Sequence, residues 1–108
     1  MDMQFIIRRA YGKPDTAIVR YNCECGCKPA AEYRQNTPDS GSEHCCCGHV
    51  HFVGPNSRKD LEAYLADRAT RNMDDEVQGH TLYDTSVTAP WGDQIPVTYG
   101  LANHPVKH

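Results

Sequence analysis

All six cysteines of this 108-residue chain fall in two short clusters, CECGC at residues 23–27 and CCCGH at residues 45–49. Both read Cys-x-Cys-Gly-(Cys/His). Thiolates with some imidazole are the donor set of zinc, copper(I) and iron–sulfur centres. The pattern therefore names six candidate metal ligands: Cys23, Cys25, Cys27, Cys45, Cys47 and His49. In extended chain, residues i and i+2 share a face at Cα separations of about 6.5–7 Å. Zinc holds its sulfurs about 2.3 Å from the ion, so a backbone bend helps two such side chains converge. Gly26 and Gly48 stand where the bend is wanted, because glycine accepts a positive φ. By the same period Cys46 faces away, Cys25 and Cys47 are the central members of their motifs, and His51 joins the face of His49 as an additional candidate.

Ligand counting sharpens the expectation. Cys23, Cys25, Cys45 and Cys47 suffice for one closed tetrahedral zinc, and Cys27 and His49 exceed what that site needs. The surplus points to two ions sharing thiolates or to a site that exchanges ligands. Zinc leads. Copper(I) is second, since Cys-x-Cys offers the low coordination it accepts, and an iron–sulfur cluster is third because the spacings do not match its known forms. An open catalytic zinc would want a carboxylate as general base, and Glu24 and Glu43 are near. Several thiolates neutralise the ion and weaken it as a Lewis acid, so a structural or metal-handling role (carrier or sensor) is expected ahead of a small metal-dependent enzyme. A disulfide framework fits less well, because the adjacent Cys45-Cys46-Cys47 pair awkwardly. His44 reads as a loop residue and His80 as structural. His104 and His108 receive no role.

Bulk properties narrow the setting. The net charge is -3 with no basic stripe, which argues against nucleic acid as a partner. Phe5, Ile6 and Ile7 are too few for a signal-peptide core, and no stretch is long enough to span a membrane, so a cytoplasmic setting with reduced thiols is expected. The metal ion is the one partner the residues name. Leu, Ile, Val and Phe total 17 of 108 residues, a sparse core that a metal cross-link would support.

Those residues need a scaffold. Residues 3–9 and 16–22 read as strands about a Gly12-Lys13-Pro14-Asp15 turn, and 28–43 as a polar loop. HVHFV at 49–53 reads as a strand with Val50 and Phe52 opposite His49, His51 and Val53. A helix follows Gly54-Pro55-Asn56, capped by Asn56 or Ser57, with Leu61, Tyr64, Leu65, Arg68 and Ala69 as its apolar stripe and its end near Asn72. Residues 80–88 and 95–100 read as strands about a Pro90-Trp91-Gly92-Asp93 turn, with Pro96 placing the last strand at an edge and Trp91 covering the sheet edge. If the second and third strands pair, both clusters meet at the end of their hairpin. The expected fold is a single α+β domain over 1–108: a small, mainly antiparallel sheet of about five strands with one amphipathic helix on a face, and a loose tail from about residue 101.

Overall fold

The computed structural model describes residues 4–23, 25–35, 41–44, 48–71, 76–77, 81–101 and 105–106. β1 (Phe5–Ala10) and β2 (Lys13–Tyr21) are joined at Tyr11-Gly12, where Gly12 takes φ 76°. β3 (Ala30–Arg34) returns beside β2 to complete a three-stranded sheet of order β1-β2-β3. β4 (Gly41–His44), β5 (His49–Val53), β7 (Leu82–Thr88) and β8 (Gln94–Leu101) form a second sheet of order β4-β5-β8-β7. The helix α1 (Ser57–Arg71) lies between β5 and a short β6 (Glu76–Val77), which pairs with β9 (Pro105–Val106) beyond residue 101. Every pairing is antiparallel. The α+β class stands, but the strands divide between two main sheets instead of forming one of about five.

The layers follow from side-chain alternation. Ala17 and Val19 of β2 and Ala31 of β3 meet Val53 of β5 and Ile95 and Val97 of β8, so the two sheets face each other as a sandwich. On the outer face of the second sheet, Val50 and Phe52 bury against Leu61 and Leu65 of α1, with Tyr64 and Leu82 beside them. β5 is thus covered on both faces, and its residues sort as the alternation predicted. Full burial of Leu61 and Leu65 is worth about 1.5–3 kcal/mol each.

Four expectations are corrected. The segment 28–43 carries β3 and β4, because Ala31 and Tyr33 alternate with Glu32 and Arg34 and supply an inward face. Lys13–Asp15 belong to β2, the reversal needing only Tyr11 and Gly12. β2 pairs with β1 and β3, never with β5. β8 is central, although it contains Pro96. The Pro96 carbonyl accepts the Gly54 N–H at 2.9 Å, just past the last β5–β8 pair, Val53↔Val97. A strand residue turns its nitrogen and carbonyl to the same side. The N–H that proline lacks would therefore face a point where β5 has already turned toward the helix, and no ladder bond is lost.

The helix start also resolves. Asp60 N–H donates to the Asn56 carbonyl at 2.9 Å, which makes Asn56 the capping position. The buried Ser57 hydroxyl instead lies 3.1 Å from that of Thr98, tying the first turn of α1 to β8. Thr98 in turn donates to Asp84 at 3.1 Å, and Asp84 pairs with Arg58. No helix among the described residues is long and apolar enough to cross a membrane.

Candidate metal centre

CECGC is the closed tip of the β2–β3 hairpin. The strand register runs from Thr16↔Arg34 to Arg20↔Ala30 and continues as Tyr21 N–H to the Pro29 carbonyl at 3.2 Å. Cys23 N–H then donates to the Cys27 carbonyl at 3.1 Å, and Gly26 N–H donates to the Cys23 carbonyl at 2.9 Å. The chain between Cys23 and Cys27 therefore reverses in a tight hairpin tip, the kind that needs a left-handed residue just before the returning strand. Gly26 supplies it with φ 95°.

This geometry revises the role of each cysteine. Cys23 and Cys27 oppose each other across the hairpin, where Cβ atoms lie about 4.5–5.5 Å apart. Thiolates at that spacing can reach the separation, just under ~4 Å, that one tetrahedral ion sets between its sulfurs. Cys23 continues the inward face of Val19 and Tyr21, is 8% exposed, and packs with Tyr21 while Phe5 and Cys27 close over the pair. Cys25 is exposed at the tip. The three cysteines do not line one face of an extended strand, because the chain reverses between the first and the last. Glu24 lies outside the described residues.

The residues that flank and end the second cluster repeat this arrangement. β4 and β5 pair from Gly41↔Val53 to His44↔Val50, so the chain reverses between His44 and His49. Gly48 takes φ 96°, matching Gly26. His49 is half-buried, its ring 5.7 Å from that of Tyr99. Cys45, Cys46 and Cys47 lie outside the described residues, as do His80, His104 and His108. His44 stands on β4 opposite Val50. Among the described residues, no three of His, Cys, Asp and Glu form a ligand group.

What brings the two motifs to one end of the sandwich is the aromatic layer beneath them. Tyr21 of β2 meets His51 of β5 edge-on, with ring centres 4.7 Å apart and planes at 89°. Tyr99 of β8 lies 5.7 Å from Tyr21, and Phe5 lies about equally far from all three rings, at 5.9 Å from Tyr21, 6.3 Å from His51 and 6.2 Å from Tyr99. Two residues beyond Tyr21 is Cys23, and two residues before His51 is His49. Both steps keep the inward face and run toward the same end. The opposed strands Phe5↔Tyr21 carry half of this layer.

His51 is part of that layer. It is fully buried, and burial pushes its imidazole down to about 4 against a smaller opposing effect of the Val19 backbone. Neither ring nitrogen has a hydrogen bond of ordinary geometry among the described residues, so Val19 offsets the burial without a full bond. His51 is a neutral ring wedged among aromatics. Glu43, weighed as a general base, is exposed and lines an open cleft of about 380 Å³ with Arg20, Glu32 and Gly41. Trp91 lies at the opposite end, stacked on Tyr33 at 6.4 Å with the Arg9 guanidinium 5.9 Å from its ring centre.

Comparison with known protein families, curated proteins and solved structures finds no match to this chain.

Proposed function

We propose that this is a small metal-binding protein whose two Cys-x-Cys-Gly-(Cys/His) segments act as hairpin pincers for zinc, in a structural or metal-handling role. One observation carries this reading. The Cys23–Cys27 pair closes a glycine-dependent hairpin tip, and the second motif repeats both the strand reversal and the glycine φ at the same end of the sandwich. In this reading Cys23 and Cys27 are the inner donors of the first hairpin, His49 and the cysteines of 45–47 serve the second, and Cys25 is the outward thiol. Thiolate donors would spread the ion's charge and leave it a poor activator of water, so binding is favoured over catalysis. A cytoplasmic setting, where thiols stay reduced, suits such donors.

The test is elemental analysis of the purified full chain beside a thiol count under denaturation. About one or two zinc ions per chain are expected, with all six thiols reactive after denaturation and chelation. Six thiols with no bound metal overturn the reading. The opposed Cys23–Cys27 pair also suits two-coordinate copper(I), so a competition titration with copper(I) and zinc decides between the ions.

A further inference from the structure

A sandwich of two open sheets has four edges, and proteins usually blunt such edges with charge, proline, bulges or brevity. Here β1 carries Arg8 and Arg9 and a register shift between Arg9 and Ala10. β3 has five residues, two of them Glu32 and Arg34, and β4 has four. β7 differs. It has seven residues, LYDTSVT, one charge, no proline, and an unbroken register from Leu82↔Gly100 to Thr88↔Gln94.

Its backbone polarity can be assigned. Ala89 N–H bonds the Asp93 carbonyl at 2.7 Å, so by antiparallel alternation Val87, Thr85 and Tyr83 bond β8. Leu82, Asp84, Ser86 and Thr88 turn their N–H and C=O groups away from β8, and among the described residues no strand pairs with that side.

We propose that β7 is a self-association edge, at which two copies of this chain pair antiparallel about Thr85 and join their four-stranded sheets into one. Three properties select a second copy in this register. It is the register that opposes all seven residues, Leu82 with Thr88, Tyr83 with Val87, and Asp84 with Ser86. It opposes outward-bonding residues with outward-bonding residues, as an antiparallel ladder requires. It also sets the single charge of each strand against a hydroxyl, whereas a slip of one pair toward the strand start would put Asp84 against Asp84. Tyr83, 45% exposed and stacked on its own Tyr99 at 4.9 Å, meets a β-branched Val87 across the axis, a favourable cross-strand pair. One strand pairing covers less than the ~800 Å² per partner of a standard stable interface, so the dimer is weak and concentration-dependent.

The test is sedimentation equilibrium of the metal-loaded full chain under reducing conditions, from micromolar to millimolar protein. The expected result is a mass that rises toward twice that of one chain, with the Asp84 and Ser86 amides exchanging more slowly as concentration rises. Ser86→Pro removes an outward N–H without touching the β8 ladder, and Thr85→Lys sets two like charges face to face on the axis. Both variants are expected to stay monomeric at unchanged melting temperature. A wild type that remains monomeric at millimolar protein overturns the proposal, and so does a dimer that Thr85→Lys leaves intact.

Discussion

Two hairpin tips at opposite ends of this sandwich share one backbone. In Cys23–Cys27 the closing bonds are 3.1 and 2.9 Å, and in Ala89–Asp93 the corresponding bonds, Ala89 N–H to Asp93 and Gly92 N–H to Ala89, are 2.7 and 2.8 Å. The third loop residue is glycine in both, at φ 95° and 105°. One tip displays sulfur, and the other displays Pro90 and Trp91. The comparison separates two signals that the sequence merges. The glycine in Cys-x-Cys-Gly-Cys belongs to the turn, which needs it whether or not a ligand is present. The cysteines belong to something else, since the turn closes equally well around Pro and Trp. The proposed metal chemistry therefore rests on the sulfurs and His49 alone.

The largest expected difference between the tips follows metal removal. A structural zinc contributes on the order of 10 kcal/mol of folding free energy, comparable with the whole stability of a domain this size. Chelation of the full chain should abolish its cooperative melting transition or lower it by tens of degrees, with hydrogen exchange rising first at residues 23–27 while 89–93 hold longest. Circular dichroism and amide exchange read both effects. If the metal-free chain melts within a few degrees of the loaded one, the cysteine tip does not hold the fold.

Acid should also loosen one end before the other. The layer under the cysteine tip contains His51, whereas the layer under the Trp91 tip is Val53, Ile95 and Val97. His51 titrates near 4 in the folded chain and near 6.5 once unfolded, so below 6.5 the unfolded state binds the extra proton. The stability it confers is full above pH 6.5 and is lost as pH falls toward 4, amounting to about 3 kcal/mol. Urea unfolding of the wild type between pH 7 and 4, set against His51→Phe, isolates this slope from acid release of metal, which both proteins share. Equal slopes would contradict it.

At the other tip, Trp91→Ala removes the stacking on Tyr33 and the Arg9 contact. The ring is half-buried, so the cost should be about 2–3 kcal/mol, below that of a fully buried tryptophan. Metal content should not change. A loss of metal on Trp91→Ala, read by elemental analysis, would mean that the two ends are coupled and the comparison fails.

Local pattern carried much of this fold, and pairing carried the rest. HVHFV matched β5 residue for residue because its bulky alternation survives without context. The helix start was legible in Gly54-Pro55-Asn56, and the stripe in Leu61 and Leu65. β3 was hidden because its inward residues include Ala31, too small to register as apolar alternation, in a segment whose Pro, Asp and Gly content reads as loop. Pro96 misled because the edge rule concerns a missing N–H, and whether that N–H would have had a partner depends on where β5 ends. The candidate donor set comes from cysteine spacing alone. CECGC carries the same x-x-Gly spacing as Pro90-Trp91-Gly92-Asp93, but its alternating cysteines mimic a strand and mask the hairpin. The i, i+2 argument presumed an extended chain at the point where Gly26 reverses it.

The smallest expected effects test whether the two tips are one backbone device. A Cβ added at Gly26 or at Gly92 would meet nothing within 4 Å, so neither substitution creates a clash. What each alanine must bear is the positive φ, at a cost of about 1–2 kcal/mol. Gly26→Ala and Gly92→Ala should therefore each bear that backbone cost in urea titrations of the metal-loaded chain, and Gly26→Ala should lose in addition the zinc binding free energy it forfeits. They should part company in a zinc competition assay. Gly26 holds Cys23 and Cys27 opposite each other, so its alanine variant should weaken binding, while Gly92→Ala leaves affinity unchanged. Stability costs that become equal once the measured loss of zinc binding is subtracted mean that the turn and the ligands are separable layers of one motif. A Gly26→Ala cost that exceeds that of Gly92→Ala by more than its loss of zinc binding would instead mean that the metal, and not the turn, sets the backbone of the cysteine tip.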